Sequence, residues 1–98
     1  MTEDKILQWA NDKGIIEKGT VLSQLGKLKE EVLELEQALD SESIEAVLTE
    51  LGDVLVVSTI IAHLLAADLE TCLALAHTKN SKRKGIMRDG VFVKEGDI

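Results

Sequence analysis

The chain has 98 residues, 45% of them hydrophobic but only 2% aromatic, with no proline, one cysteine and a formal net charge of −7. So short a chain makes one domain with an aliphatic core, and its acidic balance excludes general nucleic-acid binding, which needs a net basic face. The lone Cys72 excludes an internal disulfide, and with no CxxC pair there is no thiolate metal motif.

The opening MTEDKILQWANDKG is mixed and charged, without the basic-then-apolar order of a signal peptide, and together with the single cysteine it points to a reducing cytoplasm. A first helix from about Glu3 to Lys13 ends at Gly14, a residue suited to the left-handed position after a helix. A loop, Ile15 to Gly19, leads to Thr20, a candidate N-cap for a longer helix reaching about Asp40. On that helix Leu25, Leu28, Val32, Leu35 and Leu39 recur at alternating steps of three and four and form one apolar stripe. Asp40-Ser41 breaks the pattern and can cap a third helix, roughly Glu42 to Ala67, so the two helices should pair as an antiparallel hairpin.

Within the third helix the apolar run Val54 to Ala67 covers 14 residues. That is short of the ~18–20 a membrane span requires. It reads as a helix buried on most sides, and in so small a protein the cover comes partly from another subunit. His63, inside this run, reads as a hydrogen-bonded core residue. Asp68 opens a fourth helix through LETCLALAHTKN, followed by a basic cluster, Lys79 to Gly85. The tail IMRDGVFVKEGDI carries an Asp89-Gly90 turn and predicts a small β-hairpin. The expected fold is all-α: a four-helix bundle-like domain over residues 1–98, oligomeric, with a short C-terminal hairpin.

The chemistry lies in the acids. Glu30, Glu31 and Glu34 crowd one stretch of the second helix, where like charges repel. Gln24, Lys27, Glu31 and Glu34 follow the leucine stripe displaced by one position, which sets them about 100° round the helix, at the edge of the packed face. On the third helix Glu50 and Asp53 share a face with Val57, Ile60 and Leu64. Acids bordering apolar packing suffer desolvation and mutual repulsion. A divalent cation compensates both: Mg²⁺ takes about six oxygens at ~2.1 Å, commonly from carboxylates, waters and substrate phosphates. Glu31 and Glu34 facing Glu50 and Asp53 would offer four carboxylates. The competing reading is a solvated acidic stripe partly paired with Lys27 and Lys29, but two acid pairs on adjacent helices, both beside core, favour the metal.

Glu30-Glu31-x-x-Glu34, a spacer, then Glu50-x-x-Asp53 resembles the EExxE…ExxD pattern of MazG-type nucleoside triphosphate pyrophosphohydrolases, within the all-α NTP pyrophosphatase superfamily. The resemblance extends to ILQWANDKGI, QLGKLKEEVLEL and KNSKRKG followed by GVFVKEGD. It implies a helical bundle forming homodimers or homotetramers, while the acidic charge and the short apolar run already argue against a nucleic-acid or membrane partner. It further implies Glu31, Glu34, Glu50 and Asp53 as ligands of Mg²⁺, with Mn²⁺ as a possible substitute. A nucleoside triphosphate would be split to monophosphate and pyrophosphate, to clear unwanted nucleotides. Glu30 would orient or deprotonate the attacking water, or serve a second metal; the alternative for it is a solvent-facing glutamate.

Lys79 and Arg83, with Lys82 and Lys84, can neutralise phosphates, and the resemblance adds Asn80 as a nucleotide contact; the alternative is a basic helix end favouring its dipole. Lys27 either bridges Glu31 or reaches a phosphate. Trp9 either stacks on a base or packs against the bundle, and packing is preferred. Two rivals stand beside this reading. One is a hydrolase dedicated to dCTP, dUTP or phosphoribosyl-ATP, and the other is a non-catalytic helical dimerisation or regulatory module.

Overall fold

The computed structural model describes residues 2–98. Helix α1, Thr2–Asp12, ends where expected: Gly14 takes a φ of 78°, the left-handed region open to glycine. The expected loop after it is instead a one-turn helix, α2, Ile15–Lys18, because the reversal at Gly14 leaves its carbonyl to accept the Lys18 N–H at 3.0 Å. Thr20 then opens α3, Val21–Ala38, with a reciprocal cap. Its hydroxyl accepts the Ser23 N–H at 3.0 Å, and the Ser23 hydroxyl accepts the Thr20 N–H at 3.1 Å.

Helix α4, Ile44–Leu64, is capped by Ser43 and not by Asp40-Ser41. The Ser43 hydroxyl accepts the Ala46 N–H at 3.2 Å, while Ser41 is used one step earlier, accepting the Ser43 N–H at 2.9 Å and so holding the turn. The helix also stops short of Ala67, because Ala66 takes a φ of 59° and turns the chain. Asp68 caps α5, Leu69–Ser81, as expected, accepting the Thr71 N–H at 2.7 Å; hydrogen bonding with the Thr71 side chain first, and with this N–H second, holds the Asp68 carboxyl below its usual pKa. Strands β1, Gly85–Arg88, and β2, Val91–Lys94, form the antiparallel hairpin, with Ile86 opposite Val93 and Met87 opposite Phe92. Asp89 and Gly90 both have positive φ, 52° and 83°, as a type I′ turn requires.

The protein is thus mainly helical, with α3 and α4 packed along one another and α1 laid against α4. The buried apolar residues are Ala10, Val57, Ile60 and Ala62, with Thr59 among them. Thr59 and Ser58 fit this apolar run because their hydroxyls donate to the carbonyls of Leu55 and Val54, both at 2.8 Å. Among the described residues, no helix is long and apolar enough to cross a membrane.

Three packing expectations change. The face of α3 turned inward is Gln24, Leu28, Glu31, Leu35 and Ala38; of the expected leucine stripe, Leu25, Val32 and Leu39 are exposed. A five-residue stripe spread over alternating steps is wider than the contact that one neighbouring helix makes. Helix α4 is not covered on most sides within one chain either, since Ile44, Leu48, Leu51 and Leu55 form an exposed second stripe. His63 is not a core residue: it lies exposed near the end of α4, over a shallow pocket it shares with Asp4, Asn11 and Ile16. Helix α5 buries none of its residues, and the molecule measures 45 × 36 × 26 Å.

Candidate metal centre

The site begins with a helix–helix contact that places a charge where a hydrophobe would be expected. Glu31 is the only buried residue of α3, with 6% of its surface exposed. It sits on the inward face one turn after Leu28 and one before Leu35, so packing α3 on α4 carries it into the interface. On α4, Glu50 and Asp53 lie two turns and one turn, respectively, before the buried Val57, so the same packing brings them half-buried to meet Glu31. One carboxylate oxygen from each of the three residues falls within 4.8 Å of the others.

The electrostatics of this cluster are unbalanced. Oε1 of Glu31 is 3.2 Å from the Lys27 ammonium, which also lies 3.4 Å from Oε2 of Glu30. These two carboxylates raise the Lys27 pKa, Glu31 more than Glu30. By contrast, Oε2 of Glu31 and Oε2 of Glu50 are buried with no hydrogen-bond partner. A buried carboxylate oxygen left unpaired forfeits its hydration without return, at roughly 1–3 kcal/mol or more for a charged group. Two such atoms in one cluster fit an all-oxygen site for a hard divalent cation.

Glu34, the fourth expected ligand, is more exposed and stands outside the group of three. It remains in contact with it: its carboxyl pKa is pushed up, first by a hydrogen bond with Glu31, then by the charge of Glu31, with a smaller push from Glu50. Glu30 is exposed on the solvent side and held by Lys27.

A groove of about 290 Å³ opens beside the cluster, lined by Gln24, Lys27, Glu31, Asp53 and Trp9. A second groove, of about 310 Å³, shares Asp53 and Trp9 with the first and is lined further by Ile6, Lys5 and Thr2. Trp9 therefore stands at both, 47% exposed, its ring only partly used in packing. The role of this helix face was readable: Thr2, Lys5, Ile6 and Trp9 follow a three-four spacing, although only Trp9 stood out by type.

The basic end of α5 lies elsewhere. Asn80 and Arg83 line a separate groove of about 510 Å³ with Phe92 of the hairpin, and none of the acids borders it. Lys79 is exposed on the same end of the helix. A single chain thus brings together Glu31, Glu50 and Asp53 with Lys27 and Trp9, with Glu34 and Glu30 at the edge, but not Lys79, Asn80 or Arg83.

Comparison with curated proteins and with solved structures returns no match. A family model does match: the MazG nucleotide pyrophosphohydrolase domain, over residues 19–86. That span runs from the cap of α3 through the acid cluster to the start of the hairpin, so the chain belongs to the MazG nucleotide pyrophosphohydrolase family.

Proposed function

We propose that the protein is a Mg²⁺-dependent hydrolase that splits nucleoside triphosphates into monophosphate and pyrophosphate, and that it serves to clear unwanted nucleotides from the cytoplasm. The observation that carries this reading is the pair of unpartnered buried oxygens on Glu31 and Glu50, turned into a three-carboxylate cluster beside an open groove. Glu31, Glu50 and Asp53 would hold the cation, with Glu34 completing the set. The bound cation would neutralise triphosphate charge and make a water acidic enough to attack at neutral pH. Mn²⁺, with similar oxygen preference, would substitute.

The chain's own groups do the rest. Trp9 offers a half-exposed ring at the groove wall on which a base can stack, worth ~1–3 kcal/mol. Lys27 presents its ammonium on the open side of the cluster, where phosphate oxygens would lie. Glu30, exposed and next to Lys27, orients the attacking water and takes its proton. The bond broken joins the α and β phosphates, and pyrophosphate leaves.

Lys79, Asn80 and Arg83 act as further phosphate and nucleotide contacts from a second copy of the chain. The support for a homodimer or homotetramer is the apolar surface of the lone chain. Leu73 and Leu75 on α5 are 63% and 69% exposed, and Ile44, Leu48 and Leu51 form a stripe along α4.

The test is a panel of canonical and modified nucleotides with purified protein and Mg²⁺, read for monophosphate and pyrophosphate. Losing partners of ligands costs enzymes about 10–100-fold, so Glu50→Gln or Asp53→Asn should cost at least that. Turnover confined to dCTP, dUTP or phosphoribosyl-ATP would identify a dedicated enzyme. No turnover and no metal-dependent thermal shift would identify a helical module, and release of orthophosphate would refute the assigned bond.

A further inference from the structure

Five carboxylates gather at the mouth of the α3–α4 contact: Glu30, Glu31, Glu34, Glu50 and Asp53. Among the described residues only one cationic side chain pairs with any of them, Lys27. Its position is specific. It stands one turn before Glu31 on the same helix and reaches Oε1 of that residue at 3.2 Å, while Oε2 of the same carboxylate is buried and unpartnered. Glu31 is therefore divided between an oxygen paired with lysine on its open side and an unpartnered oxygen on its buried side. Lys27 is itself half-exposed and has a second anchor, Glu30, at 3.4 Å towards solvent.

From this geometry we infer that Lys27 is the built-in counter-cation of the carboxylate cluster, which a divalent cation displaces from Glu31 towards Glu30 and the phosphate side of the groove. Two cations sharing one carboxylate repel each other, strongly so where burial lowers the effective dielectric. The lysine consequently weakens metal binding in the free protein. Once the metal is in place, the released ammonium keeps its remaining anchor on exposed Glu30, while Lys27 itself still lines the groove with Gln24 and Trp9. Metal loading thus delivers a positive charge to the place where the triphosphate arrives, and the cation precedes the nucleotide. Lys27 on this account acts on the metal through Glu31 and on the phosphates directly, and the inference rests on the metal reading of the cluster proposed above.

The experiment is Mn²⁺ binding to the full-length chain without nucleotide, followed by electron paramagnetic resonance of the free ion. Wild type is compared with Lys27→Met, which keeps the apolar stem and removes the charge, and with Lys27→Arg, which keeps the charge. Removing the repulsion should tighten Mn²⁺ by about tenfold in Lys27→Met, and the Arg variant should stay within about threefold of wild type. The Mn²⁺-induced rise in melting temperature should likewise be larger for Lys27→Met than for wild type. At saturating Mn²⁺, inorganic pyrophosphate should bind about tenfold more weakly to Lys27→Met. Equal or weaker Mn²⁺ binding by Lys27→Met overturns the counter-cation role while leaving the metal site standing. Unchanged pyrophosphate affinity overturns the delivery of the lysine to phosphate. If none of the three proteins binds Mn²⁺, the metal reading fails and takes this inference with it.

Discussion

The α3–α4 hairpin and the α5–β-hairpin arm are built from similar apolar residues and end in opposite conditions. The first buries Val57, Ile60 and Ala62 and, with them, a glutamate. The second buries nothing along the whole of α5, although Leu73 and Leu75 are as apolar as anything in the core. The difference teaches that the acid cluster needs only one chain to assemble, whereas the basic end of α5 lies apart from the acids and finds no cover along its helix within that chain. A hairpin of two helices can finish its own inner face; a projecting helix cannot.

The sharpest way to break the finished half is its centre. Ile60 is 2% exposed, and Ile60→Ala should destabilise the protein by about 2–5 kcal/mol in urea unfolding, with loss of metal response because α1 and α3 both rest on α4. The unfinished half responds differently. Leu73→Asp should leave the helical circular-dichroism signal intact and shift the sedimentation coefficient to that of a monomer, with loss of turnover. A stable oligomer carrying Leu73→Asp would show that α5 is not the joining surface.

A smaller effect separates local from global support. Thr20→Ala removes the reciprocal cap of α3 and should cost about 1 kcal/mol, without changing metal affinity, since Glu31 lies three turns further on. The smallest expected effect is a pH trend. Glu34 has its pKa raised chiefly by its bond to Glu31, so the folded chain binds that proton more tightly than the unfolded chain. Stability of the metal-free protein should then fall as pH rises through the interval just above the ordinary carboxylate value. Glu34→Gln should flatten that part of a melting-temperature profile, and an unchanged slope would place its origin elsewhere.

Much of this division was legible in the residues. Thr20 and Asp68 announced their helices because a short side-chain acceptor ahead of an apolar-periodic run has few other uses. Asp89-Gly90 announced its turn through backbone conformations that few residues adopt. The acids were legible as two pairs, because helical spacing placed both at a core edge. What the sequence did not show was which of several apolar residues face inward. Leu25, Val32 and Leu39 on α3 look like core by spacing, yet the inner face runs through Glu31, since a leucine covered by the helix pair and one left exposed beside it have the same pattern. Ser43 was missed as the α4 cap because Ser41 and Ser43 offer the same chemistry two residues apart, and only the turn geometry divides the labour between them. His63 was misplaced for a related reason: an apolar run does not say that its last turn leaves the core.

One bond has implications for the order in which the protein takes shape. Glu3 accepts the Leu69 N–H at 3.3 Å, joining the start of α1 to the start of α5 across 66 positions of chain. Closing so long a loop is entropically costly until the intervening hairpin has drawn its ends together. This predicts that α1, and Trp9 with it, docks late in folding, after α3 and α4 have paired and the corner at Ala66 has formed. On that order the wall of the groove would be the last part of the site to be built. In hydrogen exchange it should be the first to open, exposing the groove while the acids still face one another.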